Sequence, residues 1–480
     1  MSATAPARGG SVTDLVNGGE WQGLDPATNT EDAADATENN AIFGQLFVLG
    51  GGNVILPDIA TGYEFSNRNL TVSINLRSGV KFQDGSELTA SVAAWNINRD
   101  LNPAYACICL ANFNAVTSVT TKGKYVVVLH LSSPYAPIMT AFINEAPNWM
   151  ASEADFKSAG EATFEQHPVG AGPFEVVSDD ASSLLVLKRF PGYWQKGHPY
   201  LDNLTFQSTD SDNADVDALR SGHGQYSLIS TLSLIPTVTS NAALRFLKGP
   251  ATTVEFVALN ERSPPFASLA ARQALQYATN AKQLVTSVDI PVESFTAPGM
   301  LYYQKSVPGF DSYNLAKAQK LWRSIGAPKF NLDMTDDTLF WIQESDALAQ
   351  QWSAAGIEAS VVVDNLQSLQ QKLAANSWAA CTANWGSFDP GVALPAYFSS
   401  TGNYSGTNDP TLDGLMNQGV QFVSPTTRNA VYLKIDERLD SEAEAVFEYA
   451  KPILTVTVKN LQGIDASTDN LVQWQDVWMK

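Results

Sequence analysis

Trp385 and Phe388 stand on either side of Gly386 and Ser387 in "ANWGSFDPGVALPAYF" at 383–398, which then meets an Asp389-Pro390 turn signal. Large rings held on a loop form either the lid of a core or one wall of a pocket, because an aromatic side chain buries area wherever it rests. Other chemically able groups are sparse. His130, His167, His198 and His223 are scattered, with no H-E-x-x-H and no close pair, so no histidine metal site is expected. There is no G-x-S-x-G elbow, and Cys381 lies in no context known for a cysteine nucleophile. "VGAGPF" at 169–174 lacks the third glycine of a dinucleotide fingerprint and reads as a turn.

Asp210, Asp212, Asp215 and Asp217 in "TDSDNADVDAL" suggest a calcium loop, but the EF-hand glycine and terminal glutamate are missing. A solvated turn leading into a helix is expected instead. Two carboxylates for glycoside hydrolysis would be paired in space rather than in sequence, and 49 acids with 11 tryptophans keep that enzyme reading open. Cys107, Cys109 and Cys381 leave at least one thiol unpaired within the chain. They are expected to be small buried residues, although a bridge from Cys107 or Cys109 to Cys381 would suit an oxidising compartment.

The 480 residues exceed what one core usually serves, so two or three domains are expected. A formal charge of −20 with no basic cluster argues against nucleic acid and anionic membranes as partners. No apolar run approaches the ~20 residues that cross a bilayer.

The elements that must position these groups follow from periodicity. "YEFSNRNLTVSINLRSGVKF" from 63 alternates around an Asn-Arg-Asn turn and predicts a hairpin, as does "VTSVTTKGKYVVVLHLSSP" at 116–134. Thr89 is placed as the N-cap of a helix carrying Val92, Trp95 and Ile97. "TTVEFVALN" from 252 reads as a buried strand and "ASLAARQALQYATNAKQLV" as an amphipathic helix. A helix ending at Gly326 and a helix–strand–helix run follow, so this part is α/β.

Taken together, "GLDPATNT" at 23–30, "LTVSINLRSGVKFQDGSELTASVAAWNINR" at 70–99, "HPVGAGPFEV" at 167–176, "LKRFPGYWQKGHPYLDNLTF" at 187–206, "ALRSGHGQY" at 218–226, "VEFVALNERSPPFASLAARQALQYATN" at 254–280 and "NWGSFDP" at 384–390 resemble one family. It is family 5 of the extracellular solute-binding proteins of ABC transporters, which includes dipeptide-, oligopeptide- and nickel-binding receptors. The resemblance implies an α/β fold of the periplasmic-binding-protein type II-like class, two-lobed with an extra inserted domain. The implied domain I is residues 1–45, 167–251 and 460–480, domain II is 46–166, and domain III is 252–459. Ligand would be enclosed between lobes that close on a hinge. It also implies a monomer without cofactor or catalytic activity that delivers ligand to ABC permease membrane subunits. The location would be extracytoplasmic, periplasmic or as a cell-surface lipoprotein, the signal segment being absent from this chain.

The resemblance places Trp385 and Phe388 against ligand, with Asn148, Trp149 and Asn29 elsewhere on the site. Peptide receptors of the family carry an aspartate for the peptide ammonium where this chain has Phe388. "LDMTDDTLFWIQ" has no arginine for the carboxylate, and Asn148 replaces the arginine of the nickel receptor pattern. A site without charged partners does not favour zwitterions. The expected ligand is therefore neutral, aromatic or sugar-like, held by ring planes and amides. The alternatives are an oligopeptide receptor gripping peptide backbone and, from another class, a glycan hydrolase.

Overall fold

The computed structural model describes residues 5–17, 23–28, 33–180, 183–310, 312–335, 339–401, 405–466 and 471–480. The chain divides into two compact units, residues 1–250 with 453–480, and residues 251–452. It passes from one to the other inside two long strands, Leu244–Leu259 and Ala445–Val458.

The sheet of the first unit has Ser11–Asn17 near its middle, parallel to Asn203–Thr209 on one side and Tyr226–Ile229 on the other. The antiparallel strands Leu184–Arg189 and Phe174–Asp180 extend it past Asn203–Thr209. Period-two burial explains the strands: Leu185, Leu187, Leu204 and Phe206 are fully buried and alternate with outward residues. A separate antiparallel sheet, ordered Ala60–Ser66, Thr71–Leu76, Val126–Leu131, Val116–Thr121, contains both hairpins predicted above. The first hairpin turns on Asn67, Arg68 and Asn69, all at positive φ, which asparagine tolerates well. The turn at Gly170 and Gly172 lies so close to the Ile42 carbonyl that a Cβ at either position would come within 2.2 or 2.5 Å of its oxygen.

The second unit is a mixed sheet with a hydrophobic cluster on each face. Residues 253–259 pair antiparallel with Ala380–Gly386, while Phe330–Thr335 runs parallel to both Ala380–Gly386 and Ala359–Asp364. One cluster gathers Phe256, Phe295, Trp385, Phe398 and Phe447. The other seats Trp322 and Trp352 of helices Leu315–Ser324 and Leu339–Ala354 against Val257 and Leu259.

Some local expectations change. "NWGSFDP" is mostly not loop: Gly386 ends a strand and Pro390 begins the helix Pro390–Phe398, where its missing N–H costs nothing. Asp210 to Asp217 do open a helix, Asp212–Ser221, capped by Ser211. Asp212 and Asp215 are not solvated, however. Asp212 accepts from Ser230 N–H, Thr231 N–H and the Asn17 amide, and Asp215 accepts from the Ser227 hydroxyl. Thr89 occupies the N-cap position without a side-chain cap bond. Cys107 is bonded to Cys109, leaving Cys381 as a buried thiol that burial pushes up to about 12.

Candidate functional site

Trp385 is 3 % exposed at the end of its strand. Its ring stacks on Phe295 with centroids 4.0 Å apart and planes at 8°, and its indole N–H donates to the Phe295 carbonyl at 2.7 Å. Phe388 is 8 % exposed, and its carbonyl accepts from Leu301 N–H at 2.8 Å. Ring stacking and a satisfied indole fix Trp385 in the buried hydrophobic cluster of the second unit.

Asp389 follows directly and is fully buried. Its Oδ1 accepts from Gly391 N–H at 2.9 Å, capping the helix, and both oxygens are forked onto Arg428. Arg428 also donates to the Gly419 carbonyl and the Tyr432 hydroxyl, and it lies 4.7 Å from the centroid of Tyr302, which stacks on Tyr432. Asp389 is thus committed to an internal cation, and Phe388 occupies the position where the resemblance implies the aspartate for a peptide ammonium.

In the first unit, the Asn148 amide is paired at both ends with one residue, accepting from Phe47 N–H and donating to the Phe47 carbonyl, each at 3.0 Å. Trp149 is 1 % exposed and donates its indole N–H to Asn40 Oδ1 at 3.0 Å. The structure therefore groups Trp385 with Phe388 and Asn148 with Trp149, one pair in each unit. Asn29 lies outside the described residues.

Sequence reasoning passed over a set of buried charges in the second unit. Glu255, Glu448 and Glu344 are 0, 1 and 7 % exposed. Lys451 lies 2.5 Å from Glu255, and the Tyr449 hydroxyl donates to Glu344. Burial pushes Glu255 up to about 7 against the pull of Lys451, while burial with Glu344 and Glu255 beside it raises Glu448 well above the ordinary range. The available signal was a glutamate inside "TTVEFVALN", a segment that otherwise reads as buried strand. Among the described residues no cluster of histidine, cysteine, aspartate or glutamate could hold a metal ion. No described helix is long and apolar enough to cross a membrane.

Residues 54–405 match the family described as bacterial extracellular solute-binding proteins, family 5 Middle. The chain belongs to this family. It is an extracytoplasmic receptor of the ABC importer class that hands its solute to a membrane permease, and it is not an enzyme. Over its whole length it is 23 % identical to the glutathione-binding protein GsiB of Salmonella typhi, covering 96 % of that protein. The receptor's fold matches the substrate-binding protein CtaP of Listeria monocytogenes with a TM-score of 0.86 at 21 % identity, covering 98 % of this chain and 99 % of the other. It matches the oligopeptide-binding protein AppA of Bacillus subtilis, solved with a nonapeptide, with a TM-score of 0.79 at 19 % identity, covering 99 and 100 %.

Proposed function

We propose that this receptor captures peptides or peptide-like solutes, gripping them mainly through backbone groups, and passes them to its permease. The carrying observation is the end-to-end similarity to a glutathione-binding protein and to a receptor solved with a nonapeptide. The second unit adds a constraint. With Asp389 forked to Arg428 and Phe388 before it, the loop after Trp385 offers no free carboxylate to a ligand ammonium. Main-chain hydrogen bonds hold an extended peptide without that anchor. The glutathione and nonapeptide named for these similar proteins favour a peptide over the neutral, aromatic or sugar-like ligand expected from Phe388, so peptides become the leading reading.

Trp385, Phe388 and Trp149 are carried forward as proposed contacts, and Asn29 as a proposal without geometry. The Asn148 amide is engaged with Phe47, and its proposed role is to position the chain beside Trp149. Within the first unit we propose 46–166 as an inserted domain on a frame of 1–45, 167–251 and 460–480, with 252–459 as domain III.

The test is calorimetric titration with glutathione and with peptides of two to nine residues, each free and N-acetylated, beside oligosaccharides and aromatic acids. Peptide binding that changes by less than roughly threefold on acetylation supports the proposal. Binding of sugars or aromatic acids alone overturns it.

A further inference from the structure

We infer that Arg245, with Thr457 beside it, is a carboxylate-binding position of the first unit, suited to the C-terminal carboxylate of a peptide-like solute. The identity of that solute rests on the reading above. Arg245 is half-buried near the start of the strand Leu244–Leu259. Its Nε and Nη2 are shielded from water and donate to no partner among the described residues. These two nitrogens form the edge of a guanidinium whose N–H bonds run parallel, the edge that matches the two oxygens of a carboxylate.

A second polar group without a partner lies next to it. Lys459 N–H donates to the Ala243 carbonyl at 2.8 Å, and Gly249 lies against Ile453, so one antiparallel register holds over this stretch and sets Arg245 opposite Thr457. Directly opposed residues project from the same face of a sheet. Thr457 is 0 % exposed, and its Oγ1 also has no hydrogen-bond partner among the described residues. Its hydroxyl can supply a third donor to an anion held by the guanidinium.

Among the described residues no acid is paired with this cation. Thr457 is paired on its other side with Tyr226, and Tyr226 with Asp14, which places Asp14 three strands from Arg245, about 14 Å away. Burial and the neighbouring Asp215 hold Asp14 well above the ordinary carboxylate range. Burial lowers the pKa of Arg245, and no acid among the described residues opposes it. A partly desolvated guanidinium with two unsatisfied donors binds an arriving carboxylate more strongly than an exposed one does.

The test compares wild type, Arg245→Gln, Arg245→Lys and Thr457→Val. The probes are trialanine, its C-terminal amide and sodium acetate at ionic strength matched with chloride. In wild type, amidation is expected to weaken binding by about tenfold or more. In Arg245→Gln that ratio falls to about one, with Thr457→Val between. Acetate raises the melting temperature of wild type and not of Arg245→Gln. An amide-to-acid ratio unchanged by the substitutions overturns the inference, as does a melting temperature that moves with Arg245 while the ratio stays fixed. If wild type binds no peptide, the peptide reading fails, and acetate alone decides: an Arg245-dependent shift keeps the carboxylate site and no shift rejects it. If Arg245→Gln does not fold, Arg245→Lys, which keeps the charge and loses the parallel edge, and Thr457→Val make the same comparison.

Discussion

Arg428 meets Asp389 fork to fork inside the second unit, Nη1 to Oδ2 and Nη2 to Oδ1 both at 2.7 Å, with side chains 5 and 0 % exposed. The pair ties three helices together. Asp389 caps Pro390–Phe398, Arg428 lies on Pro425–Ser441, and its Nε holds the Gly419 carbonyl of Pro410–Gln421. Removing one partner strands the other charge in a dry site. Asp389→Asn is expected to cost about 3–5 kcal/mol in urea unfolding, and the double variant Asp389→Leu with Arg428→Met less than the sum of its singles.

The Trp385 stack separates packing from recognition. Trp385→Ala loses the Phe295 contact and is expected to destabilise the protein by about 3–5 kcal/mol, so weaker ligand binding in that variant has two causes. Trp385→Phe keeps a ring on Phe295 and leaves the Phe295 carbonyl without its donor, at about 1–3 kcal/mol. Isothermal titration of the phenylalanine variant, scored beside its unfolding midpoint, shows whether the indole itself touches solute.

Asn148 is expected to respond like a piece of sheet. Asn148→Ala leaves both the N–H and the carbonyl of buried Phe47 unpaired, about 2–5 kcal/mol in chemical denaturation. A variant that unfolds at the wild-type midpoint removes the positioning role proposed above.

Stability is expected to fall as pH rises above mildly acidic values. Glu255 is pushed up to about 7 and Glu444 to about 9, in each case first by burial, and Glu448 is raised as well. A carboxyl raised in the folded state binds its proton more tightly there than in the unfolded chain. Its contribution is complete below the ordinary value of 4.5 and is lost as pH climbs through 7 and then 9. Asp212 and Asp409, lowered by hydrogen bonds that outweigh burial, act in the opposite sense and only on further acidification. Urea midpoints at pH 5, 7 and 9 should therefore decline in that order. Glu444→Gln should flatten the step from 7 to 9, because the amide keeps the contact with Thr407 and has no proton to lose.

The sequence by itself determined the elements and the family. Both hairpins, the strand at 252–259 and the helix, strand, helix run after it are set by local periodicity and turn chemistry, which act between near neighbours. The same local rule read Gly386 and Pro390 as loop markers, whereas the tertiary structure uses them as a strand end and a helix start. Which polar groups are spent internally was decided only by tertiary contacts. Asp389 finds Arg428 39 residues away, Asn148 finds Phe47 101 away, and Trp385 finds the Phe295 carbonyl 90 away. Such pairings depend on where the sheets bring distant segments together, and no spacing along the chain encodes them. Arg245 shows the converse, since Nε and Nη2 without a partner among the described residues are visible only once the surrounding strands have been placed.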